Sequence, residues 1–293
     1  MNSALKSLID RYDPKTKDDW ENALREIVQE LALLGLYRSK FYEHAAFYGG
    51  TALRIFYGLQ RFSEDMDFSL LQPNADFDLA PYLEAVRTEL AAFDFDFEAQ
   101  YKQKETNTGI ESAFLKGGTR VNLLIVGAPE NLSNKFVNDQ KLKIKLEVDV
   151  CPPPGAEYRV ETQLIPIPFQ VKLFSEPCLF AGKLHAVLCR AWQNRVKGRD
   201  FYDLIWYVGR GTRCHLGHLQ KRMEQTGHWN SGEILTGKIL REKLKERIAS
   251  VDFAQAKEDV LPFINDASEL ELWSKDFFIG VADRVDMIEQ EKK

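Results

Sequence analysis

The sequence predicts an α+β protein in which a mixed sheet flanked by helices is followed by a C-terminal helical domain. Two observations carry this prediction. Short runs that alternate polar and apolar residues, typical of strands, are confined to roughly the first 175 residues. From about Glu176 onward the apolar spacing becomes helical and stays so. We therefore expect an α/β domain at residues 1–175 and a helical domain at residues 176–293 that completes an active-site cleft.

The composition is that of an ordinary globular chain. Hydrophobic residues make up 44% of the 293 residues, charged residues 28%, and the formal net charge is −5. This charge excludes a basic coat over the whole surface, so any nucleic-acid surface has to be local. The four cysteines show no C-x-x-C spacing, which predicts reduced thiols and a cytoplasmic protein. The chain begins without a signal-peptide pattern, and no run approaches the roughly 18 apolar residues of a membrane span, so no membrane partner is expected.

Three helices are predicted in the first domain, one of them a short helix from Thr51 to Tyr57 that ends at Gly58. Apolar residues spaced three and four apart run from Trp20 to Leu34, after two acidic residues and before Gly35, which predicts a helix that ends at this glycine. Another helix is predicted from Pro81 to Phe93, with the proline near its first turn.

The strands are predicted from short apolar or alternating runs. The clearest alternation runs from Lys141 to Val150, where apolar and charged side chains face opposite ways. The full set of predicted strands is Ala45–Tyr48, Asp65–Leu71, Phe95–Lys102, Ile110–Leu115, Arg120–Val126, Lys141–Val150 and Phe169–Phe174.

A glycine turn follows the first predicted strand and precedes a short predicted helix. Gly49 and Gly50 allow the backbone to approach a phosphate closely. The helix after them offers free amide N–H groups and the positive end of its dipole, and Thr51 adds a hydroxyl. We expect this turn to bind the phosphates of a nucleoside triphosphate.

Asp65 and Asp67 lie two residues apart on the next predicted strand, so both carboxylates emerge on one face and Met66 points to the other. Carboxylate oxygens are the ligands that Mg²⁺ prefers, and two metal ions about 4 Å apart serve many phosphoryl-transfer enzymes. The strand, turn, helix, strand order places the glycine turn beside this pair. Each motif alone is common in purely structural roles, but together they predict a triphosphate site with Mg²⁺ or Mn²⁺.

The same residues carry a resemblance to the AbiEii/AbiGii nucleotidyltransferases, which include toxins of abortive-infection and type IV toxin–antitoxin systems and the mycobacterial MenT toxins. The runs concerned are Gly49-Gly50-Thr51-Ala52-Leu53-Arg54 and Arg61-Phe62-Ser63-Glu64-Asp65-Met66-Asp67-Phe68. The resemblance implies a DNA polymerase β-like nucleotidyltransferase fold. It also implies phosphate contacts from Gly50 and Thr51 and metal binding by both aspartates. We place Gly49, Arg61 and Ser63 with the nucleotide-binding residues.

Two later runs are similar to further signatures of this family. They are Ala181-Gly182-Lys183-Leu184-His185-Ala186 and Arg199-Asp200-Phe201-Tyr202-Asp203-Leu204. The resemblance implies that Lys183 reaches the nucleotide phosphates and that an aspartate of the second run is essential. Asp200 and Asp203 are three residues apart and share a helix face, where Arg199 could bind phosphate or hold the carboxylates. Asp200 could instead cap the helix that follows Gly198.

A third acidic residue is expected near the attacking hydroxyl, as polymerase β-like sites usually have one on a later strand. Glu147 and Asp149 both lie on the polar face of the strand from Lys141 to Val150. Either could serve, and we favour Glu147. The alternative is that both are surface charges that alternate with Lys143 and Lys145.

A basic segment could bind triphosphate or an RNA backbone. Between Lys183 and Arg222 the chain has nine basic residues and only two acidic ones. The basic residues are Lys183, Arg190, Arg195, Lys197, Arg199, Arg210, Arg213, Lys221 and Arg222. Aromatic residues interleave with them, among them Trp192, although helical spacing predicts that most belong to the core.

The function predicted from the sequence is transfer of a nucleoside monophosphate from a triphosphate to an acceptor. The resemblance implies an RNA acceptor such as a tRNA 3′ end and a cognate antitoxin as partner. Alternatives are nucleotidylation of a small molecule or protein, transfer of the γ-phosphate, and an inert nucleotide-binding module. We discount a metal site at Cys214, His215, His218 and His228, whose spacing fits no zinc pattern well, and we interpret His185 as a packed or supporting residue.

Overall fold

The computed structural model describes residues 3–102, 109–136, 140–191 and 196–289. The chain forms two compact units. The first comprises Met1–Ala52, Glu64–Pro152 and Arg159–Leu173, and the second comprises Leu53–Ser63, Pro153–Tyr158 and Phe174–Lys293. The division into two domains at residue 175 stays a prediction.

The first part of the chain alternates helices with strands. The helices are α1 (Ser3–Ile9), α2 (Lys17–Arg38), α3 (Gly49–Tyr57), α4 (Ala80–Ala92), α5 (Thr119–Ile125) and α6 (Glu130–Ser133), and a 3₁₀ turn spans Phe41–Glu43. The strands are β1 (Ala45–Tyr48), β2 (Met66–Leu70), β3 (Glu98–Lys102), β4 (Ile110–Gly118), β5 (Lys141–Asp149), β6 (Tyr158–Gln163) and β7 (Phe169–Phe174). We did not anticipate β6.

The seven strands form one mixed sheet in the order β3-β4-β5-β2-β1-β7-β6. Strand β2 pairs antiparallel with β1 and parallel with β5, while β4 is antiparallel to both β3 and β5. The predicted fold class, a mixed sheet flanked by helices, is confirmed. Strand β2 lies at the centre of the sheet, so the aspartates at its start lie between two neighbouring strands.

The long helix α2 continues past the glycine at which we expected it to end. It begins with a capping box between Thr16 and Asp19 and runs to Arg38. A Cβ on Gly35 would lie 2.7 Å from the Cα of Val86 on α4. Gly35 therefore permits close approach of two helices rather than ending one of them.

The strand predicted at Arg120–Val126 is wrong, because this segment contains helix α5. Thr119, Asn122 and Val126 are all nearly inaccessible to solvent, and their spacing of three and four is helical. The apolar, β-branched composition suggested a strand. The segment is helical because α5 packs against α2, and this tertiary packing outweighs the local preference for a strand.

Aromatic packing fixes the apolar face of β2. The Phe68 ring is stacked on Phe47, with centroids 4.9 Å apart, and meets Phe41 edge to face at 5.1 Å. Met66 and Phe68 are fully buried. Because side chains alternate along a strand, this packing directs Asp67 to the opposite face.

The second unit is mainly helical, as predicted. Its helices are α7 (Glu176–Cys189), α8 (Gly198–Gly209), α9 (Leu216–Gln225), α10 (Gly237–Ala249), α11 (Phe253–Val260) and α12 (Lys275–Asp283), with 3₁₀ turns at Leu261–Phe263 and Ala267–Leu270. A short parallel pair, β8 (Arg213–His215) and β9 (Asp286–Ile288), is an exception that we did not expect. Within the described ranges, no helix has both the length and the apolar character needed to cross a membrane.

Candidate active site

The glycine turn and the second aspartate lie in direct contact. Tyr48 is the register partner of Asp67, so the turn after β1 begins beside this carboxylate. Gly49 has φ +82°, and a Cβ there would lie 2.2 Å from the Asp67 Oδ2 atom. Both the backbone conformation and the space therefore require glycine at this position.

Replacing Gly49 with alanine should lower activity by about 100-fold, because the new methyl group would displace the Asp67 carboxylate and misplacement of a reacting group by about 1 Å can cost that much. Backbone strain should add roughly 1–2 kcal/mol of destabilisation. Gly58→Ala is a matched control, since Gly58 has φ +77° and nothing lies within 4 Å of its would-be Cβ. Equal rates for the two variants would contradict the contact with Asp67.

The first aspartate is held through its backbone. Asp65 lies one residue before β2, and its carbonyl oxygen accepts a hydrogen bond from the hydroxyl of the fully buried Thr51. The preceding carbonyl, that of Glu64, accepts from Gln29 Nε2 at 3.1 Å. Helices α2 and α3 thus fix the start of β2. The Thr51 hydroxyl serves Asp65 here, and its contact with phosphate stays a prediction.

Strand register separates the two candidates for the third carboxylate. Glu147 on β5 is the direct partner of Asp67, and its Oε1 lies 2.6 Å from Lys145 Nζ. Asp149 is instead paired with Ser69, and its Oδ1 accepts the backbone N–H of Cys151 at 3.0 Å. In a parallel pair, register partners project to the same face, so Glu147 is the closer neighbour of Asp67.

The oxygen donors at this point fit a magnesium ion that is completed by phosphate. Mg²⁺ is usually bound by one or two carboxylates together with substrate phosphates and water. Asp67 Oδ2 occupies the space that a Cβ on Gly49 would take, so this oxygen lies against the glycine turn. Among the described residues, the two groups of three potential ligand side chains that converge within 4.8 Å include neither Asp65 nor Asp67. Two carboxylates beside a phosphate-binding turn are the kind of donors that a divalent metal shared with a nucleotide uses.

The second unit brings together three other predicted site residues. Arg61 donates two hydrogen bonds to Asp203, from Nε to Oδ1 at 2.6 Å and from Nη2 to Oδ2 at 2.7 Å. Lys183 Nζ lies 2.6 Å from the same Oδ2. Arg61 is only 2% exposed and Asp203 is fully buried. Arg61 therefore holds Asp203 in a bidentate ion pair, a geometry that favours a positioning role over the nucleotide contact we expected.

The electrostatics of this cluster favour an ionised Asp203. Burial by itself would raise the pKa of the Asp203 carboxyl, but the charges and hydrogen bonds of Arg61 and Lys183 hold this pKa below its ordinary value. Asp203 is therefore a carboxylate in the folded protein, and it forms an ion pair with the Lys183 side chain.

Of the remaining predicted residues of the second unit, Asp200 is the one that adjoins this cluster. Asp200 lies 3.6 Å from Lys183 Nζ and 3.2 Å from Arg190 Nη1, and the N-cap of α8 is Lys197, so Asp200 is not the capping residue. The Arg199 guanidinium lies 4.1 Å from the centre of the Phe263 ring. Ser63 is buried.

Carboxylates neutralise much of the basic segment. Arg210 pairs with Glu176, Arg213 with Asp286, and Lys221 with Glu224. Lys183 and Arg190 pair with the aspartates of α8. Trp192 and Arg195, which we assigned to this segment, lie outside the described residues. The local excess of positive charge is therefore smaller than the sequence suggests.

Comparison with known families decides the identity of the chain. A family model described as nucleotidyl transferase AbiEii toxin, type IV toxin–antitoxin system, matches residues 31–280. The chain belongs to the AbiEii family. It is therefore a nucleotidyltransferase, and the family's use of a nucleoside triphosphate and a divalent metal agrees with the glycine turn and the carboxylate pair.

Two solved structures are similar to this AbiEii family member. One is a candidate nucleotidyltransferase from H. pylori and the other is JHP933 from Helicobacter pylori. Each has 17% sequence identity and a TM-score of 0.46, and each alignment covers 88% of this chain and 92% or 89% of the other chain, respectively. No curated protein matches the sequence.

Two contacts among the predicted site residues were not foreseen, one in each unit. The bidentate pair joins Arg61 to Asp203 across 142 residues of sequence, which no local pattern reveals. The contact of Gly49 with Asp67 depends on the register of β1 and β2. The Gly-Gly turn did indicate a backbone with positive φ at Gly49. It could not indicate that Asp67 is the residue that this glycine contacts.

Proposed function

We propose that this nucleotidyltransferase moves a nucleoside monophosphate from a triphosphate to the 3′ end of an RNA such as tRNA, as the cytoplasmic toxin of a type IV toxin–antitoxin pair. The observation that carries the site assignment is the contact between Gly49 and the Asp67 carboxylate. It supports a single site in which a phosphate-binding turn adjoins a metal-binding carboxylate.

Asp65 and Asp67 would hold Mg²⁺, or Mn²⁺ in its place. When bound, the metal would neutralise charge on the triphosphate and make its α-phosphorus more electrophilic. The backbone N–H groups at the start of α3, from Gly49 onward, are available to bind phosphate oxygens, since the first N–H groups of a helix have no partner within it.

Glu147 would accept the proton of the attacking hydroxyl. Its register beside Asp67 supports this role, and the backbone hydrogen bond of Asp149 supports a structural role for that residue. Glu147→Gln should therefore lower the transfer rate by roughly 10²–10⁴-fold, the usual contribution of a positioned base. Asp149→Asn, the matched variant on the same strand face, should stay within about tenfold of wild type. A larger loss of rate in Asp149→Asn than in Glu147→Gln would make Asp149 the base and Glu147 the structural residue.

Lys183, on helix α7 of the second unit, is the proposed phosphate ligand. This role is proposed because the run from Ala181 to Ala186 is similar to a signature of the family. Its ion pair with Asp203 leaves it 16% exposed. Such a lysine can exchange one anionic partner for another without a change of protonation, which is suited to a point-charge contact with phosphate.

The RNA acceptor is proposed from the toxin family to which the chain belongs. The experiment is to incubate the protein with each α-labelled triphosphate, Mg²⁺ and total tRNA, beside tRNA whose 3′ ribose has been oxidised with periodate. We expect label on intact tRNA and none on oxidised tRNA. Equal labelling of both would contradict transfer to the 3′ end. Label on protein or on a small molecule instead would favour the alternative acceptors.

A further inference from the structure

A cluster of soft metal ligands lies in the second unit on helix α7. One ring nitrogen each of His185 and His228 and the sulfur of Cys189 all lie within 4.8 Å of one another. His185 and Cys189 are four residues apart on α7 and share a face. His228 comes from the turn after α9. Lys183, two residues before His185, projects about 200° around the helix from this face.

We propose that His185, Cys189 and His228 bind a zinc ion, with the fourth coordination position open to water. Imidazole nitrogen and thiolate sulfur are the ligands that zinc takes in proteins, in tetrahedral sites of three or four protein ligands. Binding would release the thiol proton of Cys189 to solvent, since the thiolate is the ligand form. This proposal does not depend on the assignment of Asp65 and Asp67.

The surroundings supply the supporting contacts that such sites need. The Thr226 hydroxyl oxygen lies 2.9 Å from a ring nitrogen of His185 and 2.9 Å from a ring nitrogen of His228. The bonded atoms are Nε2 of His185 and Nδ1 of His228, so Thr226 would act as the outer partner of both rings with Nδ1 of His185 and Nε2 of His228 as the metal ligands. A cavity of about 300 Å³, lined in part by Cys189 and His228, provides access for the ion and for water.

Positive side chains lie near the cluster. Lys243 and Arg247 line the same cavity. Arg247 donates from Nε to the Val187 carbonyl at 3.1 Å, and its Nη2 donates to the Arg190 carbonyl, so its guanidinium is bound to the end of α7. These cations repel any divalent ion, zinc included, and they only partly offset the burial that raises the pKa of the Cys189 thiol. The thiolate therefore has to form as the metal binds.

A second group of three potential ligands, Glu157, Cys178 and His215, is less suitable. The His215 Nδ1 atom accepts the backbone N–H of His218 at 2.9 Å and caps α9. The Cys178 sulfur accepts the N–H of Glu157 at 3.3 Å. The histidines and the cysteine that the sequence places between residues 214 and 228 therefore do not form one site. The proposed site takes two of its ligands from α7, which local spacing could not show.

Cobalt(II) titration of the full-length, metal-free protein tests this proposal, because a cobalt–thiolate bond gives a charge-transfer band in the near ultraviolet. We expect one cobalt ion bound with this band, its displacement by zinc, and a rise in Tm when zinc is present. Cys189→Ser should abolish the band. His228→Ala, a change at an exposed residue, should weaken binding at least tenfold without unfolding the protein.

The controls are Cys151→Ser and His44→Ala, which alter an exposed thiol and an exposed imidazole outside the cluster and should leave the band unchanged. Far-ultraviolet circular dichroism confirms folding of each variant. Absence of the band in the wild type, or its persistence in Cys189→Ser, would overturn the proposal. Loss of the band on Cys178→Ala alone would move the site to the second group and would overturn it equally.

Discussion

Asp67→Asn is expected to lower the rate of nucleotidyl transfer by about 10³-fold and to leave the fold intact. The substitution preserves the shape of the side chain but removes the charge of a proposed metal ligand. A metal ion contributes several kcal/mol to stabilisation of the transition state, and each 1.36 kcal/mol is a factor of ten in rate. Asp67 is only partly buried and is the second residue of a strand whose apolar side is unaffected, so stability should change little.

The measurement is the initial rate of label transfer from an α-labelled triphosphate at saturating Mg²⁺. Asp76→Asn, at an exposed position of the same unit outside both motifs, serves as the control and should retain wild-type activity. A rate for Asp67→Asn within tenfold of wild type would show that this carboxylate is not a metal ligand.

Asp203→Asn is expected to destabilise the second unit by roughly 3–5 kcal/mol, because removing one member of a buried ion pair leaves its partner charged and unpaired. Here the partner is Arg61, which is 2% exposed and donates two of its hydrogen bonds to the lost charge. Urea denaturation followed by tryptophan fluorescence is suited to the test, since Trp206, Trp229 and Trp273 all belong to this unit.

Glu242→Gln is the matched control for this charge removal, because Glu242 pairs with Lys238 on the surface of α10 at 3.9 Å. Exposed pairs of this kind contribute about 0–1 kcal/mol. A loss for Asp203→Asn no larger than that for Glu242→Gln would contradict the structural role of the buried pair.

The contribution of Asp203 to the free energy of unfolding is expected to decrease at low pH. Because the pKa of Asp203 is lowered in the folded state, its carboxylate stabilises the fold above the unfolded pKa of about 3.9. That contribution is lost only as pH falls through the lower, folded value. The difference in unfolding free energy between wild type and Asp203→Asn should therefore be constant near neutral pH and shrink below about pH 4.

Local pattern predicted the elements that carry the candidate site. The apolar run Ala45–Tyr48, the glycine turn and the alternation around Asp67 correspond to β1, the start of α3 and β2. These features could be predicted because strand alternation and glycine turns are properties of adjacent residues. Helix α5 could not be predicted in the same way, since its apolar composition is compatible with either structure and its packing against α2 decides between them.

Contacts between residues far apart in the sequence could not be predicted either. A glycine after an apolar helical run usually marks the end of the helix. Gly35 instead lies inside α2, where its missing side chain lets the backbone at Val86 pack closely against the helix. Arg61 lies in a conspicuous motif, yet its guanidinium is bound to Asp203 on a helix far along the chain. A single sequence identifies the residue types at such positions, whereas their partners follow from the fold.

The central claim is that Asp65 and Asp67 form the metal-dependent centre for attack at the α-phosphorus. Parallel reactions with α-labelled and γ-labelled triphosphate, with Mg²⁺ or with a chelator, test it most directly in wild type and Asp67→Asn. We expect only the α label to reach the acceptor, the chelator to abolish transfer, and Asp67→Asn to slow transfer by about 10³-fold. Transfer of the γ label, or transfer that survives both the chelator and the substitution, would contradict it.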